Sequence, residues 1–159
     1  YRASKDWDLL IVSPKKNLIA AIELKSQVGS YGNNLNNRTE ESLGSSEDFW
    51  TAFRENAFSC NQSPWLGYMM VVGKDEESTH VVKVNEPHFF VRKEFKEASY
   101  LDRYRILCQR LVLEHKYSAV SLIATTVKGS YENLADNISI DTFIDSFRGH
   151  LLGNESEFK

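Results

Sequence analysis

The stretch Ile19-Ala20-Ala21-Ile22-Glu23-Leu24-Lys25 constrains this chain more than any other. A run as apolar as Ile19–Ile22 belongs on a strand with both faces covered. It continues, with no turn signal, into an acid and a base flanking one apolar residue. Side chains alternate along a strand. Glu23, Lys25 and Gln27 therefore share one face, and Leu24 is expected to point the other way, into the core. Glu-x-Lys is common on exposed strands as a solvated pair, but the residues before this one are too apolar for an exposed strand.

A second acid stands within reach. Asp8 opens the apolar run Leu9-Leu10-Ile11-Val12, and Ser13-Pro14-Lys15-Lys16-Asn17 reads as a turn by its Pro and Asn. Strands over Trp7–Val12 and Leu18–Gln27 then form a hairpin, and antiparallel pairing carries Asp8 beside Glu23. Asp6 is the rival for this role; Asp8 is preferred because the apolar strand starts directly after it. Two carboxylates make a hard oxygen site that suits magnesium. A lysine beside them can orient and help deprotonate the attacking water, a set suited to phosphodiester hydrolysis.

The remaining pattern is that of one α/β domain over residues 1–159, in the order strand, strand, helix, strand, helix, strand, helix. Val28 to Arg38 reads as a polar loop. Thr39 to Ala57 reads as a helix broken near Gly44, with Ser45 or Ser46 as a cap. Trp65–Val72 is a buried strand, Lys74–Thr79 a charged turn and Val81–Val84 a short strand. Ser99 opens an amphipathic helix with apolar residues at helical spacing. Ala119–Thr126 is a further strand, and Asp141 caps a last helix. Strand–helix–strand steps favour parallel pairing through right-handed crossovers.

Charge and composition narrow the function. The net charge is −3, so no global basic field draws the chain to nucleic acid, and any DNA contact must come from a local patch. Cys60 and Cys108 match no metal or redox spacing and read as buried free thiols. His80, His88, His115 and His150 lie far apart, and Arg103, Arg105 and Arg110 read as a solvated helix face. No apolar run approaches the ~18 residues of a membrane span, and no signal peptide is visible. The sequons at Asn37, Asn61, Asn137 and Asn154 then follow from composition alone, and a cytoplasmic protein is expected. The chain opens without Met, with a strand by about residue 7, so an upstream segment is expected to be missing.

Asp8…Glu23-Leu24-Lys25 resembles the PD-(D/E)XK nuclease signature, with Trp7 where the pattern usually carries Pro. The blocks KDWDLLIV, AAIELKSQVGSYGNNLNNRTEESLGSSEDFWTAFRE, PWLGYMMVV, EPHF and EASYLDRYRILCQRLVLE are similar to the XhoI family of type II restriction endonucleases. The resemblance implies a mixed central sheet flanked by helices, a restriction-endonuclease-like core. It implies a homodimer that cuts both strands of a palindrome with Mg2+ as cofactor, CTCGAG in the best-known members. Carried over by position, Asp8, Glu23 and Lys25 form the catalytic set, and Asp8, Glu23 and the backbone carbonyl of Leu24 hold the metal. Two other readings remain: a junction resolvase or repair nuclease on the same core, and a DNA-binding module without activity.

Just beyond Lys25 lie Asn33, Asn34, Asn36, Asn37 and Arg38. Asn reads adenine and Arg reads guanine by paired hydrogen bonds, and both also hold phosphates. The same composition suits an ordinary polar turn. Position favours DNA contact for these five. Glu40 and Glu41 are expected at the head of a helix, as partners of its dipole. If phosphate contact is confined to a cleft in an acidic protein, DNA affinity should fall steeply with salt, with a log–log slope of about −0.9 per phosphate neutralised. Binding measured across a salt series checks this; a flat dependence contradicts DNA as the partner.

Overall fold

The computed structural model describes residues 1–60 and 62–159; Asn61, one of the sequon positions, lies outside them. The centre is a five-stranded sheet whose spatial order matches the chain: β1 (Leu9–Val12), β2 (Leu18–Gln27), β3 (Trp65–Gly73), β4 (Ala119–Thr125) and β5 (Tyr131–Asn133). The outer pairs, β1–β2 and β4–β5, are antiparallel, and β2–β3 and β3–β4 are parallel. The hairpin and the parallel steps agree with the sequence; β5 is an addition, three exposed residues too short to carry an alternation signal.

Two long helices follow the parallel crossovers, α1 (Tyr31–Arg54) after β2 and α3 (Tyr100–Leu113) after β3. Successive crossovers of one hand, between strands in sequential order, put their helices on one face of the sheet. That face holds the larger core, where Tyr31, Phe49, Tyr104 and Leu111 meet Ala21, Leu66, Tyr68, Met70 and Val120. The other face is covered by α4 (Ile140–Gly153), whose Phe143 and Phe147 pack on Ala20, Ile22, Trp65 and Ala119. The short α2 (Glu76–Thr79) lies between β3 and α3.

Several expectations change. Helix α1 starts at Tyr31, not Thr39, so the Asn-rich stretch is helical and only residues 28–30 are loop. Local propensity favoured a turn, but tertiary burial overrides it. Tyr31 is fully buried and its hydroxyl donates to the Gly73 carbonyl at 3.1 Å and to Asp75 at 2.7 Å. There is no break at Gly44 and no cap at Ser45 or Ser46, because Ser42, Ser45 and Ser46 form a buried small-residue stripe that lets α1 lie close. Ser42 and Ser46 donate to the carbonyls three residues back. Glu40 and Glu41 consequently sit well inside the helix, not in its first turn.

Val81–Val84 forms no strand, only a single bridge from Val81 to Ser99. The charged turn at 74–79 contains α2, capped by Asp75. Ser99 does cap α3, in a reciprocal box with Asp102. Ser139, not Asp141, caps α4, leaving Asp141 in the first turn. Cys108 is buried, its thiol pushed up to about 12 by that burial, while Cys60 is only half-buried.

The sheet and α4 approach closely at Gly67, where an added Cβ would lie 2.3 Å from the Trp65 ring of the same strand and 2.9 Å from the Phe143 ring of α4. Gly67→Ala should therefore destabilise the fold by about 1–3 kcal/mol, the usual range for overpacking. Urea unfolding checks this; an unchanged midpoint would mean that α4 is not held against β3 as described.

Candidate active site at the β1–β2 edge of the sheet

The pairing of β1 with β2 sets the site. Leu9 lies opposite Ile22, Leu10 opposite Ala21 and Ile11 opposite Ala20. Continuing that register by one residue places Asp8 opposite Glu23. The Asp8 carboxylate accepts the Leu24 backbone N–H at 2.7 Å, which ties it to the strand carrying Glu23. Asp6 and Asp8 are both exposed, and Asp6 lies two residues further from the β1 pairing.

Glu23 is buried, its side chain 6% exposed, on the face that also carries Ala21 and packs towards α1. A buried carboxylate costs several kcal/mol unless paired. Here it is paired twice. Lys25, two residues along the same strand face, forms an ion pair with Oε1. The Lys5 ammonium meets Oε2 at 2.8 Å. Lys5 also lies over the Trp7 ring, 4.5 Å from its centroid, and Trp7 packs edge-on against Phe49 of α1 at 5.4 Å. Arg2 anchors the same segment to α1 through Asp48 and, at 3.4 Å, Ser45.

Leu24 does not enter the core. It is 48% exposed, because α4 covers Ala20 and Ile22 on that face but not the strand beyond them. This leaves the Leu24 backbone close to solvent beside the two carboxylates. Among the described residues no three His, Cys, Asp or Glu side chains gather to hold a metal. The donors on offer are the carboxylates of Asp8 and Glu23 and the carbonyl of Leu24, all hard oxygens of the kind a divalent ion such as Mg2+ takes. The residues fit such an ion.

The buried phenols of the core are raised, two of them, Tyr68 and Tyr117, within reach of the Glu23 charge. Tyr68 is the register partner of Glu23 on β3. Burial, reinforced by nearby Cys108 and Tyr117, holds the Tyr68 phenol well above its ordinary value. Tyr117 is raised as well, mainly by burial with the Glu23 charge adding to it. Burial pushes Tyr104 up to about 12 against the opposing charge of Arg38.

The five residues expected to read DNA fall on two sides of α1. Asn33, Asn36 and Asn37 are exposed on one helical stripe, while Asn34 is half-buried and donates to the Ser30 carbonyl at 3.0 Å. Arg38 is partly buried; it is ion-paired to Glu41, and its Nε is buried without a hydrogen-bond partner. The arginines of α3 are engaged rather than freely solvated: Arg103 donates to the Val82 carbonyl, Arg105 meets Asp102 and Arg110 meets Glu94. The histidines stay structural where a partner is seen, as with His150 at 2.9 Å from the Ile19 carbonyl. Lys5 is the residue that sequence reasoning missed. Its signal was faint, a lysine two positions before an aromatic in a segment read only as the approach to a strand.

The model of the restriction endonuclease XhoI family matches residues 1–135. The chain belongs to the XhoI restriction endonuclease family. It is 48% identical to the type II restriction enzyme BstVI of Geobacillus stearothermophilus over 95% of this chain and 71% of that protein. It is 47% identical to the type II restriction enzyme XhoI of Xanthomonas vasicola over 72% of this chain. A third relative, the type II restriction enzyme AbrI of Azospirillum brasilense, is 48% identical over 56% of this chain. The chain spans less than half the length of the latter two, 46% and 40% respectively. No solved structure gives a significant match. The mixed sheet with helices on both faces accords with the restriction-endonuclease-like core. Among the described residues no helix is long and apolar enough to cross a membrane.

Proposed function

We propose that this chain carries the catalytic core of a PD-(D/E)XK type II restriction endonuclease that hydrolyses double-stranded DNA at a short palindrome, with Mg2+ as cofactor. The observation that carries this reading is the register that sets Asp8 opposite Glu23 beside Lys25, in a chain of the XhoI family. CTCGAG is the target that the family resemblance favours. A palindrome asks for two identical readers about a twofold axis, so the working unit is a homodimer. Its place in a restriction–modification system would be the cytoplasm.

Asp8, Glu23 and the Leu24 carbonyl would hold the ion. When bound, it supplies charge stabilisation at the scissile phosphate and lowers the pKa of water. Glu23 is fixed by burial and Asp8 by its bond to the Leu24 N–H, so both carboxylates are orientated before DNA arrives. Lys25 shares the strand face of Glu23; its ammonium positions the attacking water and offsets negative charge on the phosphate. Asn33, Asn34, Asn36, Asn37 and Arg38 make up the DNA-contacting segment. The exposed stripe Asn33, Asn36 and Asn37 meets the duplex first, and Arg38 reaches it only by leaving Glu41.

The decisive assay incubates a full-length protein with long DNA and Mg2+ and sequences the ends. Cuts at one palindrome support the reading; cuts that follow DNA structure instead mark a resolvase or repair nuclease. Asp8→Asn or Glu23→Gln should abolish cleavage while specific binding in Ca2+ survives, and full activity in either variant removes the assignment. Alanine at each of the five α1 positions should lower the ratio of cognate to one-mismatch cleavage wherever a paired base contact is lost, by about 1–3 kcal/mol of discrimination. Five unchanged ratios would place the readers elsewhere.

A further inference from the structure

Both carboxylate oxygens of Glu23 are taken by ammonium groups, Oε1 by Lys25 and Oε2 by Lys5 at 2.8 Å. A divalent ion binding this carboxylate competes with these ammonium groups for its charge and lone pairs. We propose that Lys5 is the built-in counter-cation of the site: it holds Glu23 in place until the metal arrives, then yields its oxygen to the ion. The inference rests on the metal-nuclease reading above and adds a positioning residue to it.

Three observations single out Lys5 over Lys25. First, Lys25 sits on β2 itself, two residues from Glu23 on the same face, so strand geometry keeps it near the carboxylate whatever else binds. Lys5 comes from an irregular segment ahead of β1, where the backbone imposes no such restraint.

Second, Lys5 has another seat within reach. Its ammonium is 4.5 Å from the centre of the Trp7 ring and 3.4 Å from the Asp6 carbonyl, so moving off Glu23 does not strand a bare charge in an apolar site. Third, the segment is anchored by Arg2 on Asp48 and by Trp7 against Phe49. A shift of the Lys5 side chain therefore requires no movement of the backbone that carries Asp8.

Without metal the charges of the site balance. With Asp8, Glu23, Lys5 and Lys25 alone, two negative charges face two positive ones. When a divalent ion enters, an ammonium left on Glu23 would repel it, and departure of Lys5 removes that repulsion. The pair thus sets a threshold on metal binding: it protects a buried carboxylate while raising the metal concentration needed to charge the site.

The test is calorimetric titration of Mn2+, without DNA, into the wild-type protein and into Lys5→Met, Lys5→Gln, Lys5→Arg and Glu23→Gln. Removing the competing charge should tighten Mn2+ binding on the order of tenfold in Lys5→Met and Lys5→Gln, equivalent to about 1.4 kcal/mol. Lys5→Arg, which keeps the charge, should stay near wild type. The neutral variants should be less stable without metal and show a larger Mn2+-induced rise in Tm, because at a given concentration a tighter ligand stabilises more. In wild-type protein, nitrogen NMR of the lysine ammonium groups should show the Lys5 signal moving on Ca2+ addition. Equal or weaker Mn2+ binding in both neutral variants, or a Lys5 signal that ignores Ca2+, overturns the proposal while leaving the metal site intact. Undiminished Mn2+ binding in Glu23→Gln instead removes the metal assignment of Glu23 and this inference with it.

Discussion

The structure turns on one buried carboxylate. Glu23 stands at the point where the apolar part of β2 ends, 4% exposed, and it is tolerated there because two lysines neutralise it. Truncating one partner of a buried pair commonly costs 3–5 kcal/mol, about half the stability of a small domain. The arrangement of the edge follows from this need. Lys25 comes from the same strand face, Lys5 from the segment that leads into β1, and Asp8 from the first residue before the β1 pairing begins.

The sheet builds the platform on which that carboxylate can be buried. The face bearing Ala21 and Glu23 is closed by α1 and α3, so Glu23 lies among buried groups, with the raised phenols of Tyr68 and Tyr117 within reach of its charge. The opposite face is closed by α4, but only as far as Ile22. The strand end beyond it is therefore half-open, with charge on one face and the exposed Leu24 on the other. An open strand end of this kind suits the proposed DNA substrate, since a phosphate need not enter a closed cavity.

Much of this was legible in the sequence because it depends on short-range pattern. The alternation around Glu23, the turn at Pro14 and the apolar run after Asp8 together specify a hairpin and bring two acids to one spot. The Ser99 cap and the α3 stripe were equally plain. What could not be read depends on distant contacts. The Asn-rich stretch looks like a loop until the Tyr31 hydroxyl finds Gly73 and Asp75, more than forty residues away. Leu24 looks like a core residue until the reach of α4 is known. Lys5 carries only a faint signal; its pairing with Glu23 arises because the segment before β1 lies beside Trp7 and Glu23.

The central claim is that Asp8, Glu23 and the Leu24 carbonyl converge to bind a divalent ion. Anomalous diffraction from crystals soaked in Mn2+ tests it most directly. The account predicts one strong peak within bonding distance of both carboxylates and of the Leu24 oxygen. A peak elsewhere, or none at saturating Mn2+, would contradict it.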